Sequence, residues 1–260
     1  MNINSFQNQS AEDFLLNLPD DSIDLTVTSP PYDSLRDYSG YDIDLDIIIR
    51  ELLRTTKKGG MVVWVVNDQT INGSESLTSF KHAIKFVEAG WNLHDTMIYR
   101  KVNPQPNAKT RYQQCFEYMF AFSKGKPKTI NLILRERRCK DKRTFRKDKA
   151  FVRQKSGEFT RGYYEIKVND LVPLDNIFEY VVGGGNSTND KIAFKHPAIF
   201  PEKLVTDQIL TWTNEGDVVC DIFAGSGTTF KMAKLNSRNY IGCEVSKDYC
   251  DIIDERLSKF

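Results

Sequence analysis

From Val218 to Leu257 the chain follows one repeating order of apolar runs and helical spacing. Val218 to Phe223 reads as a strand, Thr228 to Leu235 as a helix, Tyr240 to Glu244 as a strand and Lys247 to Leu257 as a closing helix. Strands alternating with helices build βαβ units, and their parallel sheet carries helices across its faces. The N-terminal part repeats the pattern. Ile23 to Thr28 reads as a buried strand, Ile43 to Thr56 as a helix, Lys57-Lys58-Gly59-Gly60 as a turn and Met61 to Val66 as a strand. A helix at Ser79 to Glu88, strand candidates at Leu93 to Lys101 and Phe116 to Ser123, and a helix at Pro201 to Trp212 extend it. The spacing predicts an α/β fold with a doubly wound, mostly parallel sheet.

Between these regions the alternation stops. The chain is expected to divide into residues 1–123, an inserted region at 124–190, and residues 191–260. The insert closes on Gly183-Gly184-Gly185-Asn186-Ser187, a flexible seam of the kind found at module boundaries. Net charge over the 260 residues is only +1, so overall charge gives no case for a polyanionic partner. The distribution does. Arg137, Arg138, Lys142 and Arg143 lie in a run of basic residues from Lys124 to Lys155 opposed only by Glu136, Asp141 and Asp148. Phe145, Phe151, Phe159, Tyr163 and Tyr164 are interleaved or follow, the mixture that contacts phosphates and bases together. A solvated loop is the alternative reading.

Other features exclude classes. The longest apolar run, Met61 to Val66, is far too short to span a bilayer, and the N-terminus has no basic region followed by an apolar stretch. Five cysteines without a C-x-x-C pair fit reduced thiols, and a cytoplasmic location is expected. His82, His94 and His196 are scattered without ligand spacing, so no metal is expected.

Two motifs carry chemistry. Asp221-Ile222-Phe223-Ala224-Gly225-Ser226-Gly227-Thr228-Thr229 leaves a strand and enters a helix through glycines, so backbone N–H groups can approach a polar ligand. Alone, such a turn serves structure as readily as a ligand. At the end of the next strand Glu244 stands where a carboxylate can accept both hydroxyls of a ribose. Phe230 occupies the place of the third glycine of a dinucleotide fingerprint, and no G-K-[ST] loop occurs, which disfavours NAD and ATP. The second motif, Ser29-Pro30-Pro31-Tyr32, follows a strand. Proline has no N–H, so this backbone offers carbonyl acceptors in a fixed direction, and Tyr32 offers a face for stacking. As structure alone, the prolines stop the strand.

Together, Thr28-Ser29-Pro30-Pro31-Tyr32 and Asp221 through Thr229 resemble the catalytic and cofactor motifs of the DNA amino-methyltransferases, in the permuted order of the beta group. Cys115 through Gly125 resembles a later strand of the catalytic half, and His196-Pro197-Ala198-Ile199-Phe200-Pro201-Glu202-Lys203-Leu204 the segment that closes over the methionine end of the cofactor. The resemblance implies a class I methyltransferase-like fold with an inserted target-recognition region. It further implies an S-adenosylmethionine pocket lined by Asp221, Phe223, Ala224, Gly225, Ser226, Gly227 and Thr228, with Glu244 on the ribose and Phe200 and Pro201 covering the cofactor. Ser29, Pro30, Pro31 and Tyr32 would form the catalytic pocket, and Arg137, Arg138, Lys142 and Arg143 would contact DNA. Where the family often carries Gly-Asp, with the acid on the adenine ring, this chain reads Gln9-Ser10; either side chain can hydrogen-bond.

The implied reaction is methyl transfer to the exocyclic amino group of a base flipped from double-stranded DNA. Ser before Pro-Pro-Tyr is commoner among the cytosine enzymes of this family, so Ser29 points to cytosine N4. Adenine N6 is the alternative, and an RNA methyltransferase a further one; the basic insert argues against a small-molecule substrate. A monomer or homodimer is expected, and a restriction endonuclease of the same system is a candidate partner.

Overall fold

The computed structural model describes residues 2–31, 43–104, 106, 110–138, 145–167 and 169–260. Its main sheet has the spatial order β1 (Ser5–Asn8), β14 (Asn239–Glu244), β13 (Val218–Asp221), β2 (Ile23–Thr28), β3 (Thr56–Val66), β7 (Phe116–Ser123), β6 (Asn92–Lys101) and β12 (Ile177–Tyr180). Every strand but β7 runs in one direction. β7 interrupts the parallel pattern that the sequence suggests, because the described residues between β6 and β7 form no helix to carry a crossover.

Side-chain alternation assigns each strand to two apolar layers. On β3, Met61, Val63 and Val65 enter one layer, and Val62, Trp64 and Val66 enter the other. Helices α4 (Glu202–Trp212), α5 (Thr228–Leu235) and α6 (Lys247–Leu257) cover the first layer with Leu204, Phe230 and Ile253. Helices α1 (Ala11–Leu16), α2 (Leu45–Thr55) and α3 (Thr78–Glu88) cover the second with Phe14, Leu52 and Phe86. Burial on both faces is why Met61 to Val66 is apolar without a break. No described helix is long and apolar enough to cross a membrane.

Two local features differ from expectation. The register jumps from Ile23 opposite Thr56 to Leu25 opposite Met61, so residues 57–60 bulge within β3 instead of forming a free turn. The Gly59 N–H donates to the Lys124 carbonyl at 2.7 Å, and Lys57 Nζ reaches Asp24 at 2.6 Å. The short elements β1, α1 and β12 carry too few residues for a periodic signal. Ser10 caps α1 by accepting the Asp13 N–H at 3.1 Å.

The chain forms two compact units, one of Met1–Asn131 with Asn176–Phe260 and one of Leu132–Asp175. Among the described residues the second has two antiparallel ladders, β8 (Leu134–Glu136) with β11 (Leu171–Pro173), and β9 (Phe145–Arg153) with β10 (Phe159–Lys167). It is narrower than the segment 124–190 that lacks helix–strand alternation, and the glycine-rich turn at 183–187 belongs to the first unit. Within the first unit, β1, β14, β13, β2 and β3 point the same way, so the residues following them share one edge of the sheet. Ligands of open α/β sheets bind at that edge.

Candidate active site

At this edge Asp221, the last residue of β13, is only 2% exposed. Its Oδ1 accepts the Thr28 hydroxyl at 2.6 Å and the Phe223 N–H at 3.1 Å, while Oδ2 accepts the Thr229 hydroxyl at 2.6 Å. Burial pushes the carboxyl up to about 6, against the three donors, which stabilise its charge; nearby Glu244 adds to the upward shift. The group expected to line the cofactor pocket is thus a brace, tying the end of β2 to the loop after β13 and the start of α5.

The loop itself requires its glycines. Gly225 has φ +53°, and a Cβ there would lie 2.9 Å from His196 Nε2. His196 is held in turn, its Nδ1 accepting the Ala198 N–H at 3.1 Å and its ring edge-on to Tyr249 with centroids 4.4 Å apart. Gly227, at φ 75°, begins α5. Ala224, Ser226 and Thr228 are buried, and the half-buried Phe223 turns its ring edge-on to Trp64, into the core layer. Glu244, at the end of β14, accepts the Gly225 N–H on Oε2 at 2.7 Å and the Ser246 N–H on Oε1 at 2.9 Å. Burial raises its pKa, and backbone N–H donors from Ser246, Gly225 and Val245 oppose the rise.

Next to this loop, Ser29 and Pro31 are half-buried and Pro30 is buried, directly after β2. Tyr32 lies outside the described residues. Phe200 packs against the first apolar layer, and Pro201 is the N-cap of α4. Of the Gln9-Ser10 pair, Ser10 is committed to capping α1, whereas Gln9 Nε2 is buried with no hydrogen-bond partner among the described residues. Gln9 follows Asn8, which lies opposite Glu244 in the sheet. A buried amide with no partner among the described residues and, across the sheet from its neighbour, a carboxylate held by backbone donors suit the polar edges of an adenosine-bearing ligand. The residues present therefore fit S-adenosylmethionine.

The basic residues belong to the second unit. Arg137 Nε donates to the Asn169 carbonyl at 2.9 Å, and Arg138 reaches Asp175 at 2.6 Å. Arg135 shares Asp175 at 2.7 Å, and its hydrogen bond is the main influence holding that carboxyl below the usual range. Lys142 and Arg143 lie outside the described residues. Nothing local in the sequence marks Thr28 and Thr229 as the partners of Asp221, or singles out Arg256. Helical spacing marks α6 as amphipathic but gives no sign that this arginine is 1% exposed.

The mostly parallel sheet, with a glycine loop tied by Asp221 to the neighbouring strand end, makes a class I methyltransferase-like fold. Residues 23–255 match the family model of the N6/N4 DNA methylases. The chain is 54% identical over 244 residues to the orphan methyltransferase M.BamHII of Bacillus amyloliquefaciens, covering 94% of this chain and 92% of that one. The fold resembles the cytosine-N4-specific PvuII DNA methyltransferase with a TM-score of 0.70 at 20% identity, over 97% of this chain and 86% of that one. It also resembles a putative DNA modification methylase of Thermus thermophilus solved with S-adenosyl-L-methionine, with a TM-score of 0.63 at 24% identity over 98% and 93% of the two chains. This chain belongs to the S-adenosylmethionine-dependent DNA methylases of the N6/N4 group.

Proposed function

We propose that the chain methylates the exocyclic N4 of a cytosine flipped out of double-stranded DNA. Methyl transfer at this edge is supported by the Thr28–Asp221 hydrogen bond, which ties the strand end that runs into Ser29 and Pro30 to the strand that runs into the glycine loop. Ser29 at the head of the motif favours cytosine, and the fold likeness to a cytosine-N4-specific enzyme supports the same choice. Bound S-adenosylmethionine would supply an electrophilic methyl group on a sulfonium, the S–CH3 bond breaking as the N–CH3 bond forms, with the thioether S-adenosylhomocysteine as leaving group and one amino proton lost to solvent.

The residues of the chain do the rest. An exocyclic amino nitrogen is a poor nucleophile because its lone pair is delocalised into the ring. The Ser29 hydroxyl and the Pro30 carbonyl accept the two amino hydrogens and localise that pair, an electrostatic contribution made by groups already in place. Proline at 30 and 31 keeps the carbonyl direction fixed and leaves no competing N–H. Tyr32 stacks on the flipped base, Glu244 holds the ribose of the cofactor, and Phe200 with Pro201 covers it. Arg137, Arg138, Lys142 and Arg143 contact the DNA backbone, and the enzyme acts in the cytoplasm.

The test is to methylate DNA with the purified protein, digest to nucleosides and identify the product by mass spectrometry. N4-methylcytidine in the deoxy series is expected, with the yield sharply reduced in Ser29→Ala. N6-methyldeoxyadenosine as the product would overturn the choice of base.

A further inference from the structure

Against the glycine loop lies an ion network of two buried cations and two half-buried carboxylates. Arg256 on α6 is 1% exposed and Lys231 on α5 is 5% exposed. Arg256 Nη1 donates to the Ser226 carbonyl at 2.6 Å and reaches the hydroxyls of Ser226 and Thr228 at 3.2 Å each. Its Nε donates to Asp190 at 3.1 Å, and its Nη2 to Glu202 at 3.1 Å. Lys231 Nζ donates to the same two carboxylates, at 2.8 Å to Asp190 and 2.7 Å to Glu202. Asp190 and Glu202 flank the segment that carries His196, Phe200 and Pro201.

We propose that Arg256 is a positioning residue for cofactor binding, clamping the segment between Asp190 and Glu202 to the Ser226–Thr228 side of the glycine loop. This rests on the glycine loop and the His196–Pro201 segment forming the S-adenosylmethionine site. Two cations meet two carboxylates: burial pushes the Asp190 carboxyl up, and the hydrogen bonds and charges of Lys231 and Arg256 together outweigh it and bring the group below the usual carboxylate value. Such a buried network is a poor source of net stability, since an apolar cluster of equal volume does as well or better. Its use is geometric. The planar guanidinium fork reaches the loop, Asp190 and Glu202 at fixed angles at once, which an ammonium on a flexible stem cannot do. The clamp fixes the distance between the loop and the segment before the cofactor arrives, so binding does not have to order the two.

The experiment titrates wild type, Arg256→Lys and Asp190→Asn with S-adenosylmethionine and with S-adenosylhomocysteine by calorimetry, on protein shown to be folded by circular dichroism. Both variants keep buried polar groups in place of those removed, and Asp190→Asn is nearly isosteric in case Arg256→Lys does not fold. Arg256→Lys is expected to weaken both ligands about tenfold, and Asp190→Asn about threefold. Amide exchange across residues 187–202 should rise in the ligand-free variants. In turnover, KM for S-adenosylmethionine should rise while kcat and KM for DNA stay near wild type. Folded variants that bind both ligands within twofold of wild type would overturn the clamp. A wild-type protein that binds neither ligand would instead overturn the reading of the site.

Discussion

The Thr28 hydroxyl and Asp221 Oδ1 meet at 2.6 Å across neighbouring strands, 193 residues apart in the chain. The bond joins the strand that runs into Ser29-Pro30 to the strand that runs into the glycine loop, so the two chemical motifs share one fixed geometry. Removing the hydroxyl by Thr28→Val leaves a buried carboxylate oxygen short of a donor. A loss of ~1–3 kcal/mol in unfolding free energy is expected by urea denaturation. Methyl transfer should fall as well, and Thr28→Ser should restore both.

Asp221 also makes stability depend on pH. Its folded pKa of about 6 lies above the ordinary carboxylate value, so the folded state holds the proton where the unfolded chain releases it. Stability from this group is fully present below about pH 4 and is lost as pH rises through about 6, a change of about 3 kcal/mol at most. In Asp221→Asn the side-chain oxygen can still accept from Thr28 and Phe223, but no proton titrates. Unfolding curves from pH 3.5 to 7 should show the wild type losing stability relative to the variant across that window. Parallel curves would place the titration elsewhere.

Glu244 has two tasks that substitutions can separate. Glu244→Gln keeps one oxygen for a backbone N–H, by geometry the Gly225 or the Ser246 donor, but removes the charge that would accept the ribose hydroxyls. Hydrogen bonds to a charged acceptor are worth ~1.5–3 kcal/mol, against about 1 for neutral pairs. S-adenosylmethionine affinity should therefore fall about tenfold, or about 1.4 kcal/mol, with a modest change in melting temperature. Glu244→Ala should lower both strongly. Calorimetry and thermal unfolding on the same preparations decide between the two tasks.

Neutralising Arg137, Arg138, Lys142 and Arg143 together should weaken DNA binding and flatten its salt dependence, by up to about 0.9 in slope for each phosphate that is no longer neutralised. Arg138 already shares Asp175 with Arg135, so it should contribute less to that slope than its charge suggests. Fluorescence anisotropy at several salt concentrations reads the slope. An unchanged slope would make the cluster a solvated face.

Much of the fold is legible in the chain because local signals are strong where strands are buried on both faces. The strands at Ile23–Thr28 and Phe116–Ser123 and the helices at Thr228–Leu235 and Lys247–Leu257 stand where periodicity puts them. β1 and α1 escaped because four and six residues carry too little pattern. The bulge at 57–60 escaped because two lysines and two glycines read as a turn wherever they stand, and only pairing with β2 and Lys124 draws them into a strand.

The α/β class, the two motifs and their order are legible along the chain, because glycines after a strand and prolines after a strand act through their own backbone restrictions. Which side chains serve the site was decided by the tertiary structure. Asp221 turns inward to Thr28 and Thr229, Ser10 is taken by a helix cap while Gln9 Nε2 finds no partner among the described residues, and Arg256 is drawn under the loop to Asp190 and Glu202. Each of these depends on partners far away in the chain. A buried polar group is defined by the donors and acceptors that folding brings within about 3 Å of it, and no local pattern encodes them.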